Sequence, residues 1–148
     1  MPEIHLFHPI MVHFTIALII TGLLGELLWL ITKREVFREV SRWNLLFSGV
    51  AVILTFITGL IAEDAVTMGP AAADVFETHE TIGYVILALV AILFVWRLAK
   101  SGIYYQKYSV WFTALFIMVA IVVIIGAYFG GELVFTYGVG VKTVAVVP

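Results

Sequence analysis

Cysteine is absent from all 148 residues. That excludes disulfides, iron–sulfur clusters, thiolate ligands and a C-x-x-C-H haem attachment, and it leaves the redox compartment open. Charge is nearly as scarce, at 12% of residues with a net of −2. No basic surplus suits a nucleic acid, and nothing in the chain resembles a hydrolytic triad.

What fills the chain is apolar: 63% of residues are hydrophobic, and the mean hydropathy is +1.13. Such a composition belongs to the bilayer rather than to a soluble domain. Four apolar runs cover about 9–31, 43–62, 81–96 and 109–129. Crossing a bilayer core takes about 20 residues at 1.5 Å per residue, so each run is near the length of one membrane helix. A β-barrel would require strands of alternating polarity, and these runs do not alternate. The expected fold is all-α, an integral membrane four-helix bundle in one domain, 1–148. Two similar hairpins at about 8–64 and 74–132 are followed by an outer-face tail at 133–148. The first run is too long for a secretory leader and lacks its basic start, so it is expected to stay in the mature protein.

Basic residues set the expected orientation. Lys33, Arg34, Arg38 and Arg42 lie in the first connection, and Arg97, Lys100 and Lys107 in the third. The second connection, 63–80, has none, and Lys142 alone stands elsewhere. The positive-inside rule then puts the first and third connections in the cytoplasm of a bacterial cell and both termini in the periplasm. All four histidines fall on the outer side.

A repeat is written into the two halves. "HFTIALII" from His13 and "HETIGYVI" from His79 share His, Thr, Ile, a small residue and Ile. From His13 the marks Trp29, Trp43 and Gly59 follow at steps of 16, 14 and 16. From His79 the marks Trp96, Trp111 and Gly126 follow at 17, 15 and 15. This reading makes His13 and His79 equivalent, each about one turn inside its helix. His8-Pro9 would start the first helix, and Asp74-x-x-Glu77, a capping box, would precede the third.

Four residues beyond these histidines stand Ala17 and Gly83, on the same helix faces. Gly59 and Gly126 lie at similar depth on the returning helices. Two imidazoles and four small residues around one layer suit a flat macrocycle with iron ligated axially. Its propionates would face the N-terminal ends of the first and third helices, whose dipoles favour anions. Haem b is therefore the expected cofactor, held by His13 and His79, with His8 as the alternative ligand. The competing reading makes the histidines interfacial and the small residues ordinary helix-packing positions. His8 otherwise reads as a cap and loop organiser, and His5 as solvated.

Glu26 is an acid within an apolar run, a costly placement that raises the question of function. A pairing with Arg97 or Arg42 near the cytoplasmic edge answers it. Gly22, Gly25 and Gly126-x-x-x-Gly130 suggest close helix crossings. The acidic connection holding Glu63, Asp64, Asp74, Glu77 and Glu80 is most simply a solvated loop, with a docking patch for a basic partner as its alternative.

The two ends carry a family resemblance. "HPIMVHFTIAL", residues 8–18, and "GGELVFTYGVGV", residues 130–141, resemble the signatures of a broad bacterial family of four-helix inner-membrane proteins known only as a domain of unknown function. Trp43, Gly59, His79 and Arg97 follow in the family's order. The resemblance implies the four-helix fold and marks His8, His13, His79 and the terminal Gly-rich segment as landmarks, with no activity attached. Thr15 stands where members commonly have Pro, and Tyr137 where they often have His, which puts a metal role for the tail in doubt. Residues 130–141, rich in Gly and β-branched types, are expected to leave the helix as a turn or short strand pair over the outer mouth.

These features together predict an electron carrier or subunit rather than an independent catalyst. Its partners would be the lipid bilayer with outer-side quinol, a periplasmic electron carrier, or a larger respiratory or photosynthetic complex. A non-catalytic subunit or scaffold is the alternative. A small-molecule or metal-ion transporter stands third, because no unwound midspan segment is visible in the sequence.

Overall fold

Backbone groups inside a bilayer find no water, so each apolar run must satisfy its own N–H and C=O groups, and a helix does this residue by residue. The computed structural model describes residues 6–99 and 103–141. His5, Lys100, Lys142 and the end of the tail lie outside them, as do the side chains of residues 99–109, including Lys107. Within the described residues there are four helices and no strand: α1 (Phe7–Thr32), α2 (Glu35–Ala65), α3 (Pro70–Ala99) and α4 (Ile103–Phe135). All four are long and apolar enough to cross a membrane. The chain is an all-α membrane four-helix bundle.

Each helix overruns its apolar run. α2 begins at Glu35 rather than near Trp43 because the basic segment is itself helical, supported by Arg38–Glu35 at 3.4 Å and Arg42–Glu39 at 3.7 Å. Such (i, i+3) pairs lie on one helix face. The connection before it is tight. Lys33 takes a left-handed φ of 56° and donates its N–H to the Trp29 carbonyl at 2.8 Å. Lys33 and Arg38 also both lie over the Trp29 ring.

α3 likewise begins earlier than expected. Its first residue is Pro70, where a missing N–H costs nothing. Asp74 and Glu77 therefore sit inside the helix rather than capping it, and His79 lies more than two turns in.

Packing closes a ring: α1 on α2, α2 on α3, α3 on α4 and α4 on α1, with α1 and α3 facing across the diagonal. Ile19, Leu45, Val90, Leu93, Phe112, Phe116 and Val119 form the fully buried centre. Large apolar side chains such as Ile31, Val110 and Ile124 are exposed on the outside. Lipid is as apolar as the core, so small residues and polar groups are what distinguish the inner faces.

The tightest crossing is between α1 and α2. A Cβ added at Gly25 would lie 2.8 Å from the Ser41 backbone nitrogen and 2.9 Å from the Phe37 carbonyl oxygen. Neither backbone atom can swing aside, so the two helices must part. Gly25→Ala is expected to lower stability by about 1–3 kcal/mol, as overpacking does. A thermal scan of the detergent-solubilised protein checks this, with Gly83→Ala as the control, since a Cβ there meets nothing within 4 Å.

The expected departure from helix at Gly130 does not occur. α4 continues to Phe135: Gly130 and Gly131 are helical positions, and Gly130 packs closely on the His79 ring rather than turning. Beyond them Gly138, at φ 65°, is the left-handed residue of an αL-type cap. Its N–H donates to the Val134 carbonyl, and the Val139 N–H donates to the Leu133 carbonyl. The described part of the tail is thus a helix stop, made by the one residue type without a Cβ penalty there.

Candidate functional site

A helix carbonyl points along the axis toward the residue four places on, and that residue's side chain leans back over it. A glycine four places on uncovers the carbonyl, whose second lone pair can then accept a side-chain donor. The bundle does this twice. Thr55 is followed by Gly59 on α2, and Gly126 by Gly130 on α4. His8 of α1 donates from Nδ1 to the Thr55 carbonyl at 3.0 Å. His79 of α3 donates from Nδ1 to the Gly126 carbonyl, also at 3.0 Å. A carbonyl only accepts, so the proton is on Nδ1 in both rings.

The glycines are notches for these rings. A Cβ at Gly59 would come within 3.1 Å of His8 Cε1, and one at Gly130 within 3.0 Å of His79 Cε1. Held in this way, the two imidazoles meet across the α1–α3 diagonal. Their centroids are 6.3 Å apart and their planes cross at 84°. With Nδ1–H committed, each Nε2 keeps a lone pair. Among the described residues no group of three or more His, Asp or Glu converges, so the donor set here is these two rings.

Sequence separation shows the repeat behind this. Each histidine reaches a carbonyl 47 residues on, and His79 follows His8 by 71 residues, as Gly130 follows Gly59 and Gly126 follows Thr55. The same separation joins Glu26 to Arg97. It also relates buried Ile19 to Val90, Leu45 to Phe116, Ser48 to Val119 and Val52 to Val123. The two hairpins are thus related by a shift of 71, not by the 66 that aligns His13 with His79.

The structure does not bring His13 and His79 together. His13 lies five residues after His8, about 140° around the helix. It is exposed, and its Nδ1 donates to the Pro9 carbonyl of its own helix at 2.6 Å. Ala17 is also on this exposed face. Gly83 does not face a packed partner. Gly126 contributes its carbonyl to His79, while a Cβ there would meet Ile82 and Ile86. Gly59 lies against the His8 ring, so its notch receives an imidazole. The site therefore consists of His8, His79, Gly59, Gly130 and the Thr55 and Gly126 carbonyls. Gly130 is the residue that sequence reasoning missed. Its signal was a glycine 51 residues after each histidine of the pair His8 and His79.

Below this layer the first hairpin is polar. Thr15 and Thr55 hydroxyls share a hydrogen bond at 2.8 Å. Toward the basic end of the bundle Glu26, with 0% of its surface exposed, meets Arg97, at 8%. Arg97 Nη2 is 3.3 Å from Glu26 Oε2, and the Ser41 hydroxyl donates to the same carboxylate at 2.8 Å. Arg97 also donates to the Ser41 oxygen at 3.0 Å and lies over the Phe112 ring at 5.1 Å. The expected pairing of Glu26 with Arg97 is present, buried between the helices near their basic ends.

A family described as predicted membrane protein, DUF2231, matches residues 4–143. No curated protein and no solved structure matches the chain.

Proposed function

We propose, from the premise that the chain belongs to the DUF2231 family of predicted membrane proteins, that it is a membrane electron-transfer protein holding one b-type haem between His8 and His79. The observation that carries this reading is the crossed pair of imidazoles, each tied by Nδ1 to a carbonyl. Metal-ligating histidines characteristically donate the other ring N–H to a carbonyl or carboxylate, which fixes tautomer and orientation. His8 and His79, with ring centroids 6.3 Å apart, would hold the group through their free Nε2 lone pairs.

The donor count separates haem from a bare ion. A structural zinc site takes four protein ligands, whereas haem iron takes four from its macrocycle and needs only two axial ones. When bound, haem would supply one-electron chemistry. The chain's own part is to hold both rings through the Thr55 and Gly126 carbonyls and to seat them in the Gly59 and Gly130 notches. In this reading the histidine end faces the periplasm of a bacterial inner membrane, opposite the basic end. Its electron partners are quinol, a periplasmic carrier or a larger membrane complex.

One observation favours the runner-up, a non-catalytic subunit or scaffold: each notch is already filled by an imidazole, so the pair also clamps the bundle by itself. A reduced-minus-oxidised absorption spectrum of protein purified from haem-replete cells distinguishes the two. The haem reading expects sharp low-spin bands that persist in His13→Ala. A colourless wild-type protein, or bands lost with His13 alone, would overturn it.

A further inference from the structure

The 71-residue relation puts Glu26 and Arg97 at equivalent positions in the two hairpins. Both are buried, and they meet where the hairpins join. If two copies of the first hairpin were assembled by the same pseudo-two-fold relation, Glu26 would face Glu26. Two copies of the second would place Arg97 against Arg97. Only unlike hairpins bring opposite charges together.

By charge, the rest of the described interface does not discriminate in this way, although the seat of Phe94 on Gly49 adds a steric preference for the unlike half. Like pairing and unlike pairing both give histidine opposite histidine in the His8–His79 layer. Both also oppose apolar residues at the levels of Ile19 and Val90, and of Val52 and Val123. In lipid, apolar contact has little preference of its own, because the tails compete equally for the same surface. A buried charge without its complement is costly, and a like charge more so.

We infer that the Glu26–Arg97 pair is a pairing code: it makes the inner face of each hairpin an interaction surface whose partner is the unlike hairpin of this fold. Within one chain the partner is the other half. The same code accepts the unlike half from a second copy when the intramolecular match is spoiled. This inference is independent of haem.

The test uses full-length chains with two different affinity tags. E26R carries arginine at both positions, and R97E carries glutamate at both, so each repels itself within one chain. Exchanging hairpins between one copy of each satisfies both junctions. Co-expressed E26R and R97E are expected to co-purify at a level several-fold above two differently tagged copies of E26R. The double variant E26R/R97E, co-expressed with itself, should return to the wild-type elution position on size exclusion. Equal co-purification in the like and unlike combinations, or none in either, would overturn the code. So would a monodisperse monomeric E26R.

Discussion

His79→Ala is expected to abolish the low-spin haem spectrum while leaving the protein folded and in the membrane. Among the described residues the imidazole is one of two in the layer, and its removal empties the Gly130 notch without touching the fully buried apolar centre. The iron would be left with one axial protein ligand, converting it to high spin or releasing it. His8→Ala should behave in the same way, since His8 is the equivalent residue of the other hairpin. Millimolar imidazole added to either variant should restore low-spin bands in part, because the free ligand can enter the vacated notch. A structural role for the histidines would show no such rescue. Absorption spectra of the two variants, with and without imidazole, provide the check.

The second large effect concerns stability. Arg97→Met leaves the Glu26 carboxylate buried without its guanidinium, with the Ser41 hydroxyl still donating to it. Breaking a buried pair by removing one partner costs about 3–5 kcal/mol, because the remaining charge keeps its desolvation without its compensation. Glu26→Met/Arg97→Met removes both charges and is expected to recover most of that loss, as apolar replacement of buried pairs often does. The exposed pair Arg42–Glu39 is the contrast: losing it should cost at most about 1 kcal/mol. Thermal unfolding followed by size exclusion ranks the variants. Because the pair is remote from the histidine layer, the double replacement should leave any haem spectrum unshifted.

The four helices were legible because bilayer burial imposes one requirement on long stretches, and unbroken apolar runs answer it. Their ends were not. Charged residues such as Glu35, Arg38 and Asp74 can ride on a helix beyond the hydrocarbon, where hydropathy no longer marks the boundary. That Glu26 needs a basic partner was legible from the cost of a lone acid in an apolar run, and packing selects Arg97 over Arg42.

The register of the repeat misled for a physical reason. His13-x-Thr15-Ile16 matches His79-x-Thr81-Ile82 letter by letter, but much of a membrane helix's surface is lipid-facing and drawn from Ile, Val, Leu and Phe. Chance agreement is therefore easy. The true correspondence joins residues that share a position and a task without sharing identity. Thr55 and Gly126 each offer a carbonyl, Thr15 corresponds to Ile86, and Glu26 corresponds to its own counter-charge, Arg97. Only His8 with His79 and Gly59 with Gly130 keep their letters within the site. Two pairs 71 residues apart are a faint signal until the helices are packed.

The central claim, that His8 and His79 are the axial pair of one haem with their rings crossed as seen, is tested most directly by low-temperature electron paramagnetic resonance of the oxidised protein. Axial imidazoles whose planes cross near 84° should give the highly anisotropic low-spin signal with a single large g value that is typical of perpendicular planes. A rhombic low-spin spectrum, typical of parallel planes, would contradict the geometry, and the absence of any low-spin ferric signal from haem-replete protein would contradict the ligand pair.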